Sequence, residues 1–261
     1  MDIIKDLAKK HVIILSIIIS IITLLLSSIF TWDDKPFMGL DKLAGDLLIT
    51  VFSLAVIRIL GIWDTAGFRI QGFGKGLVLG IPFILIGIAG AIIGNVGVDF
   101  KTLVPTSAFN MVLFTVNMFM VGVNEEISMR SLVLNGLLNH YDKTYKGILK
   151  AVFVSALIFG AIHIPNAFFM PPMTVAVQAI NAAAAGTLFA AIFIRSGSIW
   201  PGIIIHMLVD WLALFIGQCF TGGASVLSVE MGISQGIMMI LLGSTPPITI
   251  SLFLLRKSKV E

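Results

Sequence analysis

An all-α bundle of about eight transmembrane helices, forming a single membrane domain over 1–261, is the fold this sequence predicts. Three observations carry that expectation. Of the 261 residues, 57% are hydrophobic and only 12% charged, with a mean hydropathy of +1.04, whereas soluble domains carry about 25% charged residues. Apolar runs long enough to span a bilayer recur at 11–30, 47–63, 76–97, 108–138, 147–164, 174–194, 199–217 and 233–255. The segments between them are short, with no internal repeat and no composition shift that would mark a second domain. The lone Cys219 excludes an intrachain disulfide framework and a cysteine-based zinc site. No basic patch interleaved with aromatic residues suggests a nucleic-acid partner. The lipid bilayer is the expected surrounding.

The first run follows a basic start, "MDIIKDLAKKH". It is longer than a signal-peptide core, and "FTWDD" after it offers no small-residue cleavage site, so it reads as a retained helix. The second run begins after "TWDDKPFMGLDKLAGD", whose charges place it outside the bilayer as a surface turn. Arg58, near the inner end of that run, can snorkel to the headgroups. The fourth run is too long for an upright span and predicts tilt or an extension past the membrane surface.

Orientation follows from the basic residues. With eight spans, one set of connections holds Lys5, Lys9, Lys10, Arg69, Lys75, Lys143, Lys146, Lys150, Arg195, Arg256, Lys257 and Lys259. The other holds Lys35, Lys42 and Lys101 beside Asp33, Asp34, Asp41, Asp46 and Asp99. Both termini are expected to be cytoplasmic, in a multi-pass protein of a cell membrane.

The fourth run, "MFMVGVNEEISMRSLVLNGLL", carries Glu125, Glu126 and Arg130 at membrane depth. Each ionised side chain there costs roughly 2.5–3.5 kcal/mol. Glu126 and Arg130, four residues apart on one helical face, can neutralise each other. Glu125, about 100° around the helix, has no partner within the segment. The other polar groups at depth are few. "SALIFGAIHIPNAFF" holds His163, one turn after Phe159 and just before Pro165, and "WPGIIIHMLVDWLALF" holds His206 and Asp210 at i, i+4. Gln178 and Asn181 lie beside the small-residue run "NAAAAGT", which suits close helix packing. His11 and His140 fall at membrane interfaces and read as ordinary. A single intramembrane histidine is equally well a packing hydrogen bond. Glu, His and His–Asp on three separate spans point instead to an internal functional path.

A carboxylate with neutral imidazoles can deprotonate water and stabilise an oxyanion, the chemistry that hydrolyses a peptide bond. A serine or cysteine nucleophile fits less well, since there is no G-x-S-x-G and Cys219 lies at the outer end of its span; H-E-x-x-H is also absent. Glu125, His163 and His206 could alternatively hold a zinc ion with an open position.

These residues resemble a known pattern. "EEISMR" is similar to the E-E-x-x-x-R motif of the CPBP family, which comprises the type II CAAX prenyl proteases and the bacterial Abi or bacteriocin-processing relatives. "FGAIH" resembles its F-x-x-x-H motif and "HMLVD" its H-x-x-x-N/D motif. The resemblance covers about 108–217, the expected catalytic core. It implies an intramembrane endopeptidase acting on membrane-associated peptides or proteins, with Glu125 as general base and His163 on the same water. His206 and Asp210 would line the oxyanion side, and Glu126, Arg130 and Phe159 would give structural support. Asp210 stands where eukaryotic members have asparagine, so orienting His206 is its expected role. The glutamate-and-water mechanism implies no metal, with zinc the alternative. Bacteriocin maturation or self-immunity is the biology carried by analogy. Two rival classes are an inactive immunity or scaffold subunit and a proton-coupled transporter. Against the latter, no inverted repeat is visible. Counting along upright helices places Glu125 near mid-membrane, His206 shallower and His163 nearer the outside, so tilt or a deeper fifth helix is required to gather them.

Overall fold

In the computed structural model, residues 10–29, 37–223, 227 and 229–260 are described, and they form helices joined by short turns. In chain order these are α1 (Val12–Ser28), α2 (Leu40–Leu60), α3 (Phe73–Gly94) and α4 (Ala108–Glu126), followed by a π-helical stretch (Ile127–Leu134). Next come α5 (Asn135–His140), α6 (Tyr145–Ala161), α7 (Pro172–Ser196), α8 (Trp200–Cys219), α9 (Ile233–Leu254) and α10 (Lys257–Val260). Two short 3₁₀ turns, Trp63–Thr65 and Ile164–Phe168, complete the connections. β1 (Val104–Pro105) and β2 (Phe220–Thr221) pair antiparallel in an otherwise helical chain.

Among the described residues, six helices are long and apolar enough to cross a membrane, and α1 is a shorter apolar helix. Ser16, Ser20 and Thr23 return their hydroxyls to carbonyls one turn back in α1. A polar side chain can therefore be carried through an apolar solvent without an unsatisfied donor. The expected span 108–138 is built from three joined pieces, α4, the π stretch and α5. The second span is corrected. It starts at Leu40 rather than 47, so Asp41, Lys42 and Asp46 belong to the helix and not to an outer turn. An aspartate in the first turn suits a helix N-terminus, and Lys42 partners Asp46 one turn on, so the charges that suggested a loop are accommodated by the helix itself.

α4 with its π stretch is central. It packs on α2 on one side and α8 on another, while α6 packs on α7, α7 on α9, and α3 on both α8 and α7. The main core, including Phe83, Met129, Phe159, Leu188, Phe189, Ile192, Ile203 and Ile205, fills the space between these helices.

The two ends of the bundle differ in charge. One end is tied by the Arg69 Nε–H to the Gly197 carbonyl (2.7 Å), the Ser198 hydroxyl to the Arg69 carbonyl (2.7 Å), and the Arg195 guanidinium to the Leu254 carbonyl (3.0 Å). Arg69, Lys150, Arg195 and Arg256 gather there, with Lys150 over the Tyr141 ring. Arg58, expected to snorkel, lies with its guanidinium 3.5 Å from the Trp63 ring centroid. The opposite end carries the β1–β2 pair. Lys5, Lys9, Lys35, Asp33 and Asp34, used above for orientation, lie outside the described residues, as does the Lys259 side chain.

Candidate active site

Glycine sets the distance between α4 and α8. A Cβ at Gly122 would lie 2.8 Å from the Ile203 carbonyl oxygen, and one at Gly202 would lie 2.8 Å from Glu126 Oε2. Larger residues at either position would push the helices apart. With both absent, the end of α4 meets the first turns of α8, and its adjacent glutamates reach His206.

Every polar edge of His206 is engaged. Its Nδ1–H donates to Glu126 Oε1 at 3.0 Å. Its Nε2 lies 3.5 Å from Glu125 Oε2 and 3.4 Å from Asp210 Oδ2. The ring stacks on Phe189 with centroids 4.9 Å apart and planes inclined by 18°. Glu126 and His206 are buried, whereas the Glu125 and Asp210 side chains keep 25% and 33% exposure. The site thus has a closed rear and an accessible front.

Arg130 backs the rear. Its Nη1 is 3.3 Å from Glu126 Oε1, and the guanidinium lies over the rings of Phe159 (4.5 Å) and Phe189 (5.1 Å). Neither Nη atom has a protein hydrogen-bond partner among the described residues. The buried charge is met by one carboxylate and two aromatic faces instead, both recognised ways of compensating a desolvated guanidinium. Glu126 therefore does more than brace its own helix, because a single oxygen faces both Arg130 and the imidazole of α8.

His163 stands two residues beyond the last residue of α6. Its Nδ1–H donates to the Phe159 carbonyl at 2.8 Å, which leaves Nε2 as the acceptor of a neutral ring. Phe159 stands edge-on to both imidazoles, with centroids 5.2 Å from His163 and 6.0 Å from His206. His163 also lies near Asp210. No hydrogen bond or ion pair joins it to Glu125 among the described residues. Glu125, Glu126, His206 and Asp210 are thus in direct contact, and His163 joins them across one phenyl ring. α6 has 17 residues and α7 has 25. At ~1.5 Å per residue the shorter α6 ends well before α7 does, and His163 turns in at that point.

Three participants escaped the sequence reading. Phe189 carries His206 and Arg130 on its faces; the large aromatic ending the small-residue run "NAAAAGTLF" was the available signal. The Glu126–His206 hydrogen bond joins residues 80 apart and has no local signature. The π stretch starts directly after Glu126, and such stretches are frequent at functional sites.

No group of three or more His, Cys, Asp or Glu among the described residues is disposed to hold a metal ion. His163 and His206 use Nδ1 on a carbonyl and on Glu126, which leaves only Nε2 of each ring for any further partner. Among the described residues the Glu125, His163 and His206 donors are not gathered as a ligand set.

Comparison with known proteins gives a family match. The family model described as type II CAAX prenyl endopeptidase Rce1-like matches residues 106–212. No curated protein and no solved structure matches the chain. The matched segment runs from the start of α4 into α8 and contains the two glutamates, both site histidines and Asp210. Residues 106–212 of this chain are therefore similar to the Rce1-like type II CAAX prenyl endopeptidases.

Proposed function

We propose that the protein is an intramembrane endopeptidase that hydrolyses membrane-associated peptides with a glutamate-activated water. One observation carries the reading: Glu125 and Asp210, partly exposed on facing helices, flank the Nε2 of a buried His206 at 3.5 and 3.4 Å. Glu125 takes a proton from water as its oxygen attacks the scissile carbonyl. His163 Nε2, left as an acceptor, holds the same water. Charge developing on the carbonyl oxygen is met by His206, whose Nε2 can donate when the ring is protonated, with Asp210 3.4 Å from that same nitrogen. Glu125 then returns the proton to the departing amine as the C–N bond breaks. Glu126 and Arg130 keep the imidazole aimed, so that it does not reorganise as charge appears.

Both termini are proposed to be cytoplasmic, with the basic end of the bundle facing inward. The substrate is proposed to be a membrane-bound peptide that need not be prenylated, with bacteriocin maturation or self-immunity as the setting. Cleavage of a membrane-peptide reporter by purified protein in detergent or liposomes tests the reading. Absence of cleavage, together with proton flux in liposomes, would support the transporter class. Absence of both would support a scaffold or immunity subunit.

A further inference from the structure

α2 lies outside the segment that matches the family, yet it delivers a carboxylate to the back of the last turn of α4. Asp46 is 1% exposed. Its Oδ1 accepts from Lys42 Nζ (2.5 Å) and from Asn124 Nδ2 (2.7 Å), while Oδ2 is buried with no hydrogen-bond partner among the described residues. Asn124 immediately precedes Glu125 and is itself 5% exposed. Asp46 lies close enough to Glu125 for the two carboxylates to feel each other. A buried carboxylate, even when paired, is a poor way to hold two helices together, since apolar packing of similar volume does as well or better. A second attachment lies two turns earlier on the same face of α4. There Asn117 Nδ2 donates to the Phe37 and Gly39 carbonyls at the entrance of α2 (3.1 and 3.0 Å).

Glu125 needs such fixing from behind. Its closest described partner, His206 Nε2 at 3.5 Å, is too distant to act as a strong hydrogen bond. The chain departs from α-helical geometry two residues later, at Ile127. The aim of the Glu125 side chain is therefore set by the rotation and height of its own backbone.

We propose that Asp46 is a positioning residue for Glu125: by gripping Asn124 across the α2–α4 contact it fixes the last turn of α4, and so aims the Glu125 carboxylate at His206 and the reacting water. This rests on the reading of Glu125 as the general base. A misplacement of about 1 Å in such a group costs on the order of 10²-fold in rate, so the effect belongs in kcat and not in substrate binding.

The test measures kcat and KM of the purified full chain on a membrane-peptide reporter, with thermal unfolding of every variant. Asn124→Asp sets two carboxylates against each other, and kcat is expected to fall on the order of 10²-fold with KM little changed. The exchange Asp46→Asn with Asn124→Asp reverses donor and acceptor, and it restores most of that loss. Asn124→Ala, which adds no charge, covers the case in which Asn124→Asp does not fold, and it too is expected to lower kcat selectively. Wild-type kcat in Asn124→Ala overturns the proposal, as does an exchanged pair that folds but stays as slow as Asn124→Asp. Glu125→Gln is run in parallel. If it is inactive while the Asn124 variants are fully active, only the positioning role falls. If it is fully active, the reading of Glu125 as base falls as well.

Discussion

Around His206, carboxylates from two helices lie within 3.5 Å of one imidazole, which stacks on a phenylalanine inside the bundle. Around His163, the ring is held by one main-chain carbonyl in its own helix, and the turn that follows projects Phe168 and Phe169 at 85% and 91% exposure. That turn is closed by local bonds, from the Asn166 N–H to the His163 carbonyl and from Asn166 Nδ2 to Gln178 Oε1 at 2.8 Å. The α4–α8 seam is a buried polar network, in which losing one member leaves another uncompensated. The α6–α7 turn depends on few long-range contacts and can shift without disturbing the core. One half of the site is thus set by packing across two helices, and the other by a turn held mainly through its own main chain and Gln178.

The largest expected effect falls at the front of the seam. Glu125→Gln keeps the shape of the side chain but cannot accept a proton from water. Peptide cleavage should drop 10²–10⁴-fold, roughly the contribution of a general base, while the melting temperature stays near that of the parent. A variant that cleaves at the parental rate would remove Glu125 from the chemistry.

At the rear of the seam the loss should appear as stability. Glu126→Ala strands Arg130 beneath its two rings and frees the His206 Nδ1–H, at a cost of about 3–5 kcal/mol, read as lower yield and thermal stability in detergent. Replacing Arg130 by an apolar residue as well should recover part of that loss. Parental stability in Glu126→Ala would mean that the network is not what holds the two helices together.

Gly202→Ala probes the same contact more gently. Its new methyl would meet Glu126 Oε2 at 2.8 Å. Overpacking of this kind costs about 1–3 kcal/mol, and activity should fall along with stability.

On the other side of the comparison, His163→Ala removes only a bond of about 0.5–1.5 kcal/mol. The melting temperature should barely change while cleavage falls. If unfolding shifts as much as in Glu126→Ala, the turn is as integral to the core as the seam and the contrast is lost. The smallest expected effect is that of a chelator. Activity should survive exhaustive chelation, and a loss that zinc restores would make Glu125, His163 and His206 candidate ligands.

The membrane class and the side chains that gather at the site were legible in the sequence because local patterns carry them. Glu126 and Arg130 are four residues apart, as are Phe159 and His163, and each pair meets within one turn. The contact between Glu126 and His206 was not legible, because it depends on two glycines, Gly122 and Gly202, that look like any others in an apolar run. Asp46 was misplaced because a charge just before an apolar run is more often a loop residue than a buried one. The π stretch had no visible cause in "ISMRSLVL", and a helical wheel drawn through it assigns faces on the wrong repeat.

The short β1–β2 pair closes the end of the bundle where α4 begins and α8 ends, and the Thr106 N–H adds a bond to the Cys219 carbonyl at 2.8 Å. Main-chain bonds there join the two helices that carry Glu125 and His206, as a rivet joins the arms of a pair of tongs. Arms joined at the rivet and again at the Glu126–His206 contact resist spreading. On the proposed reading of the site, room for a substrate is expected from the jaw without a rivet, where α6 gives way to the turn bearing His163 and the exposed Phe168 and Phe169.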